Sequence, residues 1–163
     1  MFSTLKYSTY TILYDMDWDL YFMKIARAVS IRSPDLHTKH GCVLVDSSNR
    51  IISTGYNGPI KGLPNDSVPT TRPEKYLWMI HAEDNAVLFA KCDLEGTTAY
   101  ITGYPCAPCF RRLVQAGVKR IVYGMTMSSC INVDDLRMCH TVSKAMNISM
   151  LNIEEAEHTG CVF

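Results

Sequence analysis

Apolar residues recur at helical spacing over residues 16–32, where Leu20, Met23, Ile25, Ala26 and Val29 share one stripe, and the pattern predicts an amphipathic helix. Two short apolar runs follow at 42–45 and 51–54, joined by polar turn residues at 46–50, which predicts a hairpin. The pattern then breaks. Gly55, Gly58, Pro59, Gly62, Pro64, Pro69 and Pro73 crowd residues 55–75, a density that resists helix and strand alike. Long ordered loops in compact domains often carry function. Beyond this stretch the pattern predicts a helix at 81–91, a strand at 97–102, a helix at 106–116, a strand at 119–123, a helix at 133–146 and a strand at 148–151. A hairpin followed by strands alternating with helices implies an α/β fold, a mixed sheet covered by helices on both faces. Residues 16–153 are expected to form one domain, preceded by an arm (1–15) and followed by a polar tail (154–163).

Composition narrows the function classes. A chain of 163 residues, 47% apolar and 20% charged, suits one soluble globular domain. Lys plus Arg and Asp plus Glu number 16 each, so no basic surplus draws the protein to a nucleic-acid polymer, although a pocket for one phosphate needs only one or two cations. No run approaches the length needed to cross a bilayer, and no secretory pattern opens the chain. Seven cysteines, an odd count without that pattern, are expected to be free thiols in a reducing cytoplasm.

Two short motifs carry chemistry: His81-Ala82-Glu83, then Pro105-Cys106-Ala107-Pro108-Cys109. Each alone is common, and a Cys-x-x-Cys also serves redox pairs and structural zinc sites. Together they match the H-x-E…P-C-x-x-C signature of zinc deaminases. The 21 residues between Glu83 and Pro105 (84–104) let a helix finish and return as one strand, bringing two helix starts to one sheet edge. Cysteines three apart near a helix start can reach one ion, and the helix N-terminus favours thiolate over thiol. Pro105 suits such a start. His81, Cys106 and Cys109 would leave one tetrahedral position open, which marks a catalytic rather than a structural Zn2+, one per chain. Water in that position becomes acidic near neutrality, and Glu83, two residues beyond a ligand, is placed to shuttle its proton. A redox pair would give the His-x-Glu no task. The other soft ligands (Cys42, Cys92, Cys130, Cys139, Cys161, His37, His40, His140 and His158) are expected to be buried thiols or surface imidazoles, without a second zinc.

From residue 18 to 124, about two thirds of the chain, the sequence resembles the deoxycytidylate (dCMP) deaminase family. The shared stretches are Tyr21-Phe22-Met23, Arg32-Ser33 with Asp35, Ile51-Ile52-Ser53-Thr54-Gly55-Tyr56-Asn57-Gly58, Arg72-Pro73-Glu74-Lys75-Tyr76, His81-Ala82-Glu83-Asp84-Asn85-Ala86, Tyr104-Pro105-Cys106 and Gln115-Ala116-Gly117-Val118. The resemblance implies a three-layer α/β/α sandwich around a mixed five-stranded sheet of cytidine deaminase type. It further implies hydrolysis of dCMP to dUMP and ammonia in thymidylate supply, a homohexamer, and in several members activation by dCTP and inhibition by dTTP, with Mg2+ accompanying the triphosphate. The sequence departs from the family at Pro59 and Ile60, where Gly-Tyr-Asn-Gly is often followed by another residue and then proline. It departs again at His40, which stands where valine commonly precedes Gly41.

Asn57 can both donate and accept toward a base carbonyl or sugar hydroxyl, or can simply be a turn residue. Tyr104 could offer a carbonyl to the leaving amine and a ring to the base, or pack. Arg32 and Lys39 are expected at the 5′-phosphate, since their loop precedes the first strand, and Lys61 and Arg72 are candidates for an effector site. Asn85, one turn after His81, shares its face without a catalytic role. The rivals are a tRNA or DNA base deaminase, a silent homologue acting as a binding subunit, and a deaminase of free cytosine, cytidine or dCTP. Intact motifs argue against the second, and charge balance against the first.

Overall fold

A computed structural model describes residues 17–126 and 131–153. The expected arm and tail, together with Cys130, His158 and Cys161, lie outside the described residues. The elements run α1 (Trp18–Ser30), β1 (Gly41–Val45), β2 (Ile51–Tyr56), β3 (Gly58–Pro59), β4 (Met79–Ile80), α2 (Ala82–Phe89), β5 (Thr98–Gly103), α3 (Ala107–Gln115), β6 (Arg120–Thr126), α4 (Val133–Met146) and β7 (Ser149–Asn152).

Five strands make one mixed sheet in the order β2-β1-β5-β6-β7. The hairpin pair and β1–β5 are antiparallel, while β5–β6 and β6–β7 are parallel. Alternation along each strand assigns the faces. Val43, Val45, Tyr100 and Val122 point toward α1 and pack with Phe22, Met23 and Ala26. Cys42, Leu44, Ile101 and Ile121 point the other way, into a larger core with Ala82, Ala86, Phe110, Leu113 and Cys139 from α2, α3 and α4. Each fully buried large side chain stabilises by about 1.5–3 kcal/mol, so helices on both faces are held by the strand alternation itself. The expected α/β/α sandwich and its five-stranded sheet are present.

Local chemistry sets the boundaries. The Asp17 side chain caps α1 by accepting from Asp19 N–H, and Asn132 with Asp135 forms a reciprocal capping box on α4. Asn147, at φ 53°, ends α4 in the left-handed conformation that asparagine tolerates. The hairpin turn closes on the Asp46 carboxylate, which accepts from the N–H groups of Ser48 and Arg50. On the α1 side, Asp19 accepts from Arg120 at 2.7 Å and from the Tyr100 hydroxyl at 2.8 Å, tying the helix to β5 and β6. The Arg120 guanidinium holds the Asp19 carboxyl below its usual range.

Three expectations need correction. Helix α2 stops at Phe89 rather than 91, because Ala90 is already extended (φ −65°, ψ 130°). Strand β6 runs to Thr126 rather than 123, since its pairing with β5 continues past an irregularity near Gly103. Residues 55–75 are not free of regular structure. Gly55 and Tyr56 complete β2, β3 pairs antiparallel with β4, and two 3-10 turns follow at Asn65–Ser67 and Glu74–Leu77. Gly55 serves close packing: a Cβ there would strike the Ala82 carbonyl oxygen and the Ala86 nitrogen of α2. Among the described residues no helix is long and apolar enough to cross a membrane.

Candidate active site

The end of β2, the start of β1 and the end of β5 meet at one sheet edge, because β1 runs antiparallel to both neighbours. Helices α2 and α3 begin at that edge. His81 is the N-cap of α2 and Cys106 the N-cap of α3, both in extended backbone, with Cys109 one turn inside α3. Pro105 therefore precedes the cap, and Pro108 is the proline that occupies the first turn, where no intrahelical donor is lost.

His81 Nδ1 lies 3.4 Å from Cys106 Sγ and 3.3 Å from Cys109 Sγ. The three donor atoms fall within 4.8 Å of one another, and they are the one such His/Cys/Asp/Glu group among the described residues. Ideal tetrahedral Zn2+ with bonds of about 2.0 and 2.3 Å sets a His nitrogen and a Cys sulfur about 3.5 Å apart. The donor set fits zinc in composition and spacing, and three donors leave the fourth position for a small ligand. The remaining thiols with described surroundings stand apart from it, Cys42 and Cys139 buried and Cys92 exposed.

The three donors share protons among themselves. Cys106 accepts hydrogen bonds from Cys109 and from His81, and these bring its thiol down to about 4. In turn the hydrogen bond to Cys106 raises His81 to about 9, and Cys109, which keeps its proton for Cys106, is pushed up. Glu83, in the first turn of α2, is 6% exposed. Burial lifts its carboxyl to about 7, against the opposing pull of backbone N–H at the helix start and of His81. A carboxyl so poised can take up and release a proton near neutrality. Beside it, Asp84 accepts from Arg112 Nη1 at 2.7 Å and lies 3.8 Å from Cys109 Sγ, joining α2 to α3 one turn behind the donors.

The other expected site residues fall into separate groups. Asn57 is buried and braces the 33–40 loop: its Oδ1 accepts from His40 N–H at 2.7 Å and its Nδ2 donates to the Thr38 carbonyl at 2.9 Å. One amide proton and one lone pair remain for a ligand. Tyr104 packs edge-on against Tyr123 (centroids 4.9 Å apart) and lies half-buried against the core that contains Cys139. Lys39 Nζ reaches the Ile31 carbonyl at 3.3 Å. Arg72 donates to Thr38 Oγ1 at 2.7 Å and sits 6.0 Å over the Tyr76 ring. Arg32 and Lys61 instead line one cleft of about 360 Å3 with Tyr56, Asn85 and Phe89, where Lys61 sits 5.7 Å over the Phe89 ring. Asn85 donates to the Tyr56 carbonyl at 2.8 Å and supports that loop. Arg32 shares its cleft with Lys61, while Lys39 bonds the carbonyl of Ile31, the residue before Arg32.

Two residues gain importance only here. Lys75 is buried and donates to both oxygens of Asp35 at 2.8 and 2.7 Å, fixing the loop that leads to β1. His40, expected on the surface, is half-buried beside Thr102 at the same sheet edge. The signal for His40 was its place two residues before Cys42; for Lys75 the sequence offers only a cation in a loop.

An α/β/α sandwich with a His and two Cys at the starts of two neighbouring helices, and a buried glutamate beside them, defines the zinc deaminase class. The chain belongs to the cytidine and deoxycytidylate deaminase family, whose zinc-binding region matches residues 16–125. A probable deoxycytidylate deaminase of Caenorhabditis elegans is 40% identical over 107 residues, 63% of this chain and 54% of its own. The deoxycytidylate deaminase of Homo sapiens is 33% identical over 115 residues, 66% of this chain and 65% of its own. The chain thus spans between half and two thirds of the length of these relatives. In fold it is similar to dCMP deaminase from the cyanophage S-TIM5, solved in complex with dCMP and dUMP, at a TM-score of 0.63 and 23% identity over 81% of this chain and 93% of that one.

Proposed function

We propose that the protein hydrolyses dCMP to dUMP and ammonia. The observation that carries this is the buried Glu83 carboxyl in the first turn of the helix that His81 caps, with His81, Cys106 and Cys109 forming the three-donor group. Relatives named deoxycytidylate deaminases, and a phage enzyme of the same fold solved with dCMP and dUMP, support the choice of nucleotide.

His81, Cys106 and Cys109 would hold the zinc. When bound, the ion supplies Lewis acidity that makes water a nucleophile at neutral pH. Glu83 takes one proton from the attacking water and passes it to N3 of the pyrimidine. It then carries the second to the exocyclic nitrogen, so that the C4–N bond breaks, C4 becomes a carbonyl and ammonia leaves. Burial matters because a carboxyl of ordinary acidity would hold its proton too weakly to deliver it near neutral pH.

Asn57, with its unused amide proton, is assigned to the sugar or base, and Tyr104 to the wall behind the base. Lys39 and Arg72, which flank Thr38, suit a 5′-phosphate on the loop that carries His40. Arg32 and Lys61 suit a second anion in their own cleft, such as a dCTP or dTTP effector escorted by Mg2+. A homohexamer in the cytoplasm feeding thymidylate synthesis completes this reading.

Ammonia release from dCMP, deoxycytidine, dCTP, single-stranded DNA and tRNA tests it, with dCTP and dTTP added as effectors. Turnover with dCMP well above the others is the expected result. Preference for a polymer, or for the unphosphorylated nucleoside, would overturn it. Neutralising Lys39 or Arg72 should raise KM for dCMP more than for deoxycytidine.

A further inference from the structure

His40 has no assigned task, and four observations locate its ring. A Cβ on Gly41 would strike the Ala26 carbonyl oxygen, so position 41 faces α1. Cys42 packs on the opposite face with Ala82, Ala86 and Phe110. Side chains two apart on a strand share a face, so His40 lies on the Cys42 side, one step nearer the edge where α2 and α3 begin. Pairing of Cys42 with Ile101 carries that edge to Thr102 and on to Cys106.

The backbone of His40 is gripped on both sides by one residue. Its N–H donates to Asn57 Oδ1 at 2.7 Å, and its carbonyl accepts from Asn57 N–H at 3.2 Å. The ring is oriented by Thr102, whose Oγ1 lies 3.4 Å from Nδ1 and already accepts the Gly41 N–H at 3.1 Å. A neutral imidazole that accepts the Thr102 hydroxyl proton at Nδ1 carries its own proton on Nε2. Burial and the neighbouring His81 both disfavour a charged ring, and the field of Cys106 also reaches it. His40 nevertheless stands outside the three-donor group.

We propose that His40 is a substrate-contacting residue of this site, presenting Nε2–H to an oxygen acceptor of the bound cytosine nucleotide, the C2 carbonyl or a sugar oxygen. The proposal rests on the deaminase reading above. Besides its own contact with the nucleotide, Asn57 fixes the backbone from which the His40 imidazole reaches it. Valine at this position would keep the wall and lose the donor.

His40→Val and His40→Gln, prepared with zinc, test this against the wild type. The readouts are zinc per chain, dissociation constant for dUMP by calorimetry, and KM and kcat for dCMP. One neutral hydrogen bond of about 1.4 kcal/mol corresponds to about tenfold. His40→Val is expected to raise both the dUMP dissociation constant and KM about tenfold, with kcat changed less than about threefold and one zinc per chain. His40→Gln, whose side-chain amide donates from a similar reach, is expected to restore most of the affinity. Unchanged dUMP affinity in His40→Val, loss of zinc in either variant, or no recovery with glutamine would overturn the assignment. A wild type that neither binds dUMP nor deaminates dCMP would instead overturn the deaminase reading on which it stands.

Discussion

Replacing Lys75 with methionine removes one charge from a pair whose side chains are each 5% exposed. Two forces set the magnitude. Breaking a buried ion pair by removing one partner costs about 3–5 kcal/mol, because the other charge stays buried and uncompensated. Asp35 Oδ1 keeps the N–H groups of His37 (2.8 Å) and Thr38 (3.1 Å), which stabilise the carboxylate and favour the low end, about 3 kcal/mol. At about 2–4 °C per kcal/mol for a chain of this size, the melting temperature should fall by about 6–12 °C. The pH dependence separates this account from simple loss of packing. Burial alone would raise the Asp35 carboxyl, but Lys75 and the two backbone donors outweigh it and hold it below the usual range. Its contribution is therefore complete above the unfolded value of about 3.9 and is lost as pH falls through the lower folded value. In Lys75→Met the same burial acts without the ammonium, so the carboxyl rises from its lowered value. The deficit against wild type should then be largest at neutral pH and shrink as pH falls toward about 4 and Asp35 takes up a proton. Adding Asp35→Asn, whose amide oxygen can still accept both N–H groups, should recover about half the loss. Denaturant unfolding of the three proteins at two pH values measures all of this. A deficit that does not change with pH, or a variant as stable as wild type, would refute the reasoning.

Glu83→Gln should lower kcat by about 10²–10⁴-fold while zinc stays at one per chain, measured by ammonia release and metal analysis. Near-normal turnover would remove Glu83 from the proton path. Cys109→Ser should weaken zinc retention against a chelator, and wild type stripped of metal should regain activity on adding zinc. Gly55→Ala should cost about 1–3 kcal/mol, because its Cβ meets the backbone of α2 rather than a yielding side chain. It should also loosen zinc, since α2 begins at His81; an unchanged melting temperature would show that the helix moves freely. Arg112→Leu should change stability by less than about 1 kcal/mol, as the Arg112 side chain is 58% exposed, with thermal unfolding as the check.

What the sequence determined was whatever depends on spacing along the chain. Short apolar runs and helical spacing located the strands and helices, because apolar side chains must face a core. His81, Glu83, Cys106 and Cys109 were legible because an ion demands particular donors, and two helix starts bring short motifs together. The tertiary structure decided what depends on approach between distant segments. Gly55 and Tyr56 look like loop residues, yet α2 lies against Gly55 and extends β2 through it. Lys75 is an ordinary surface cation by type, and only the 33–40 loop folding over it makes it a buried partner of Asp35. The company of the basic residues was not readable along the chain, since Arg32 and Lys61 line one cleft while Arg72 crosses to Thr38. Exposed charges have no periodicity that records their neighbours. Their company is fixed only when the sheet edge and its loops close on one another in space.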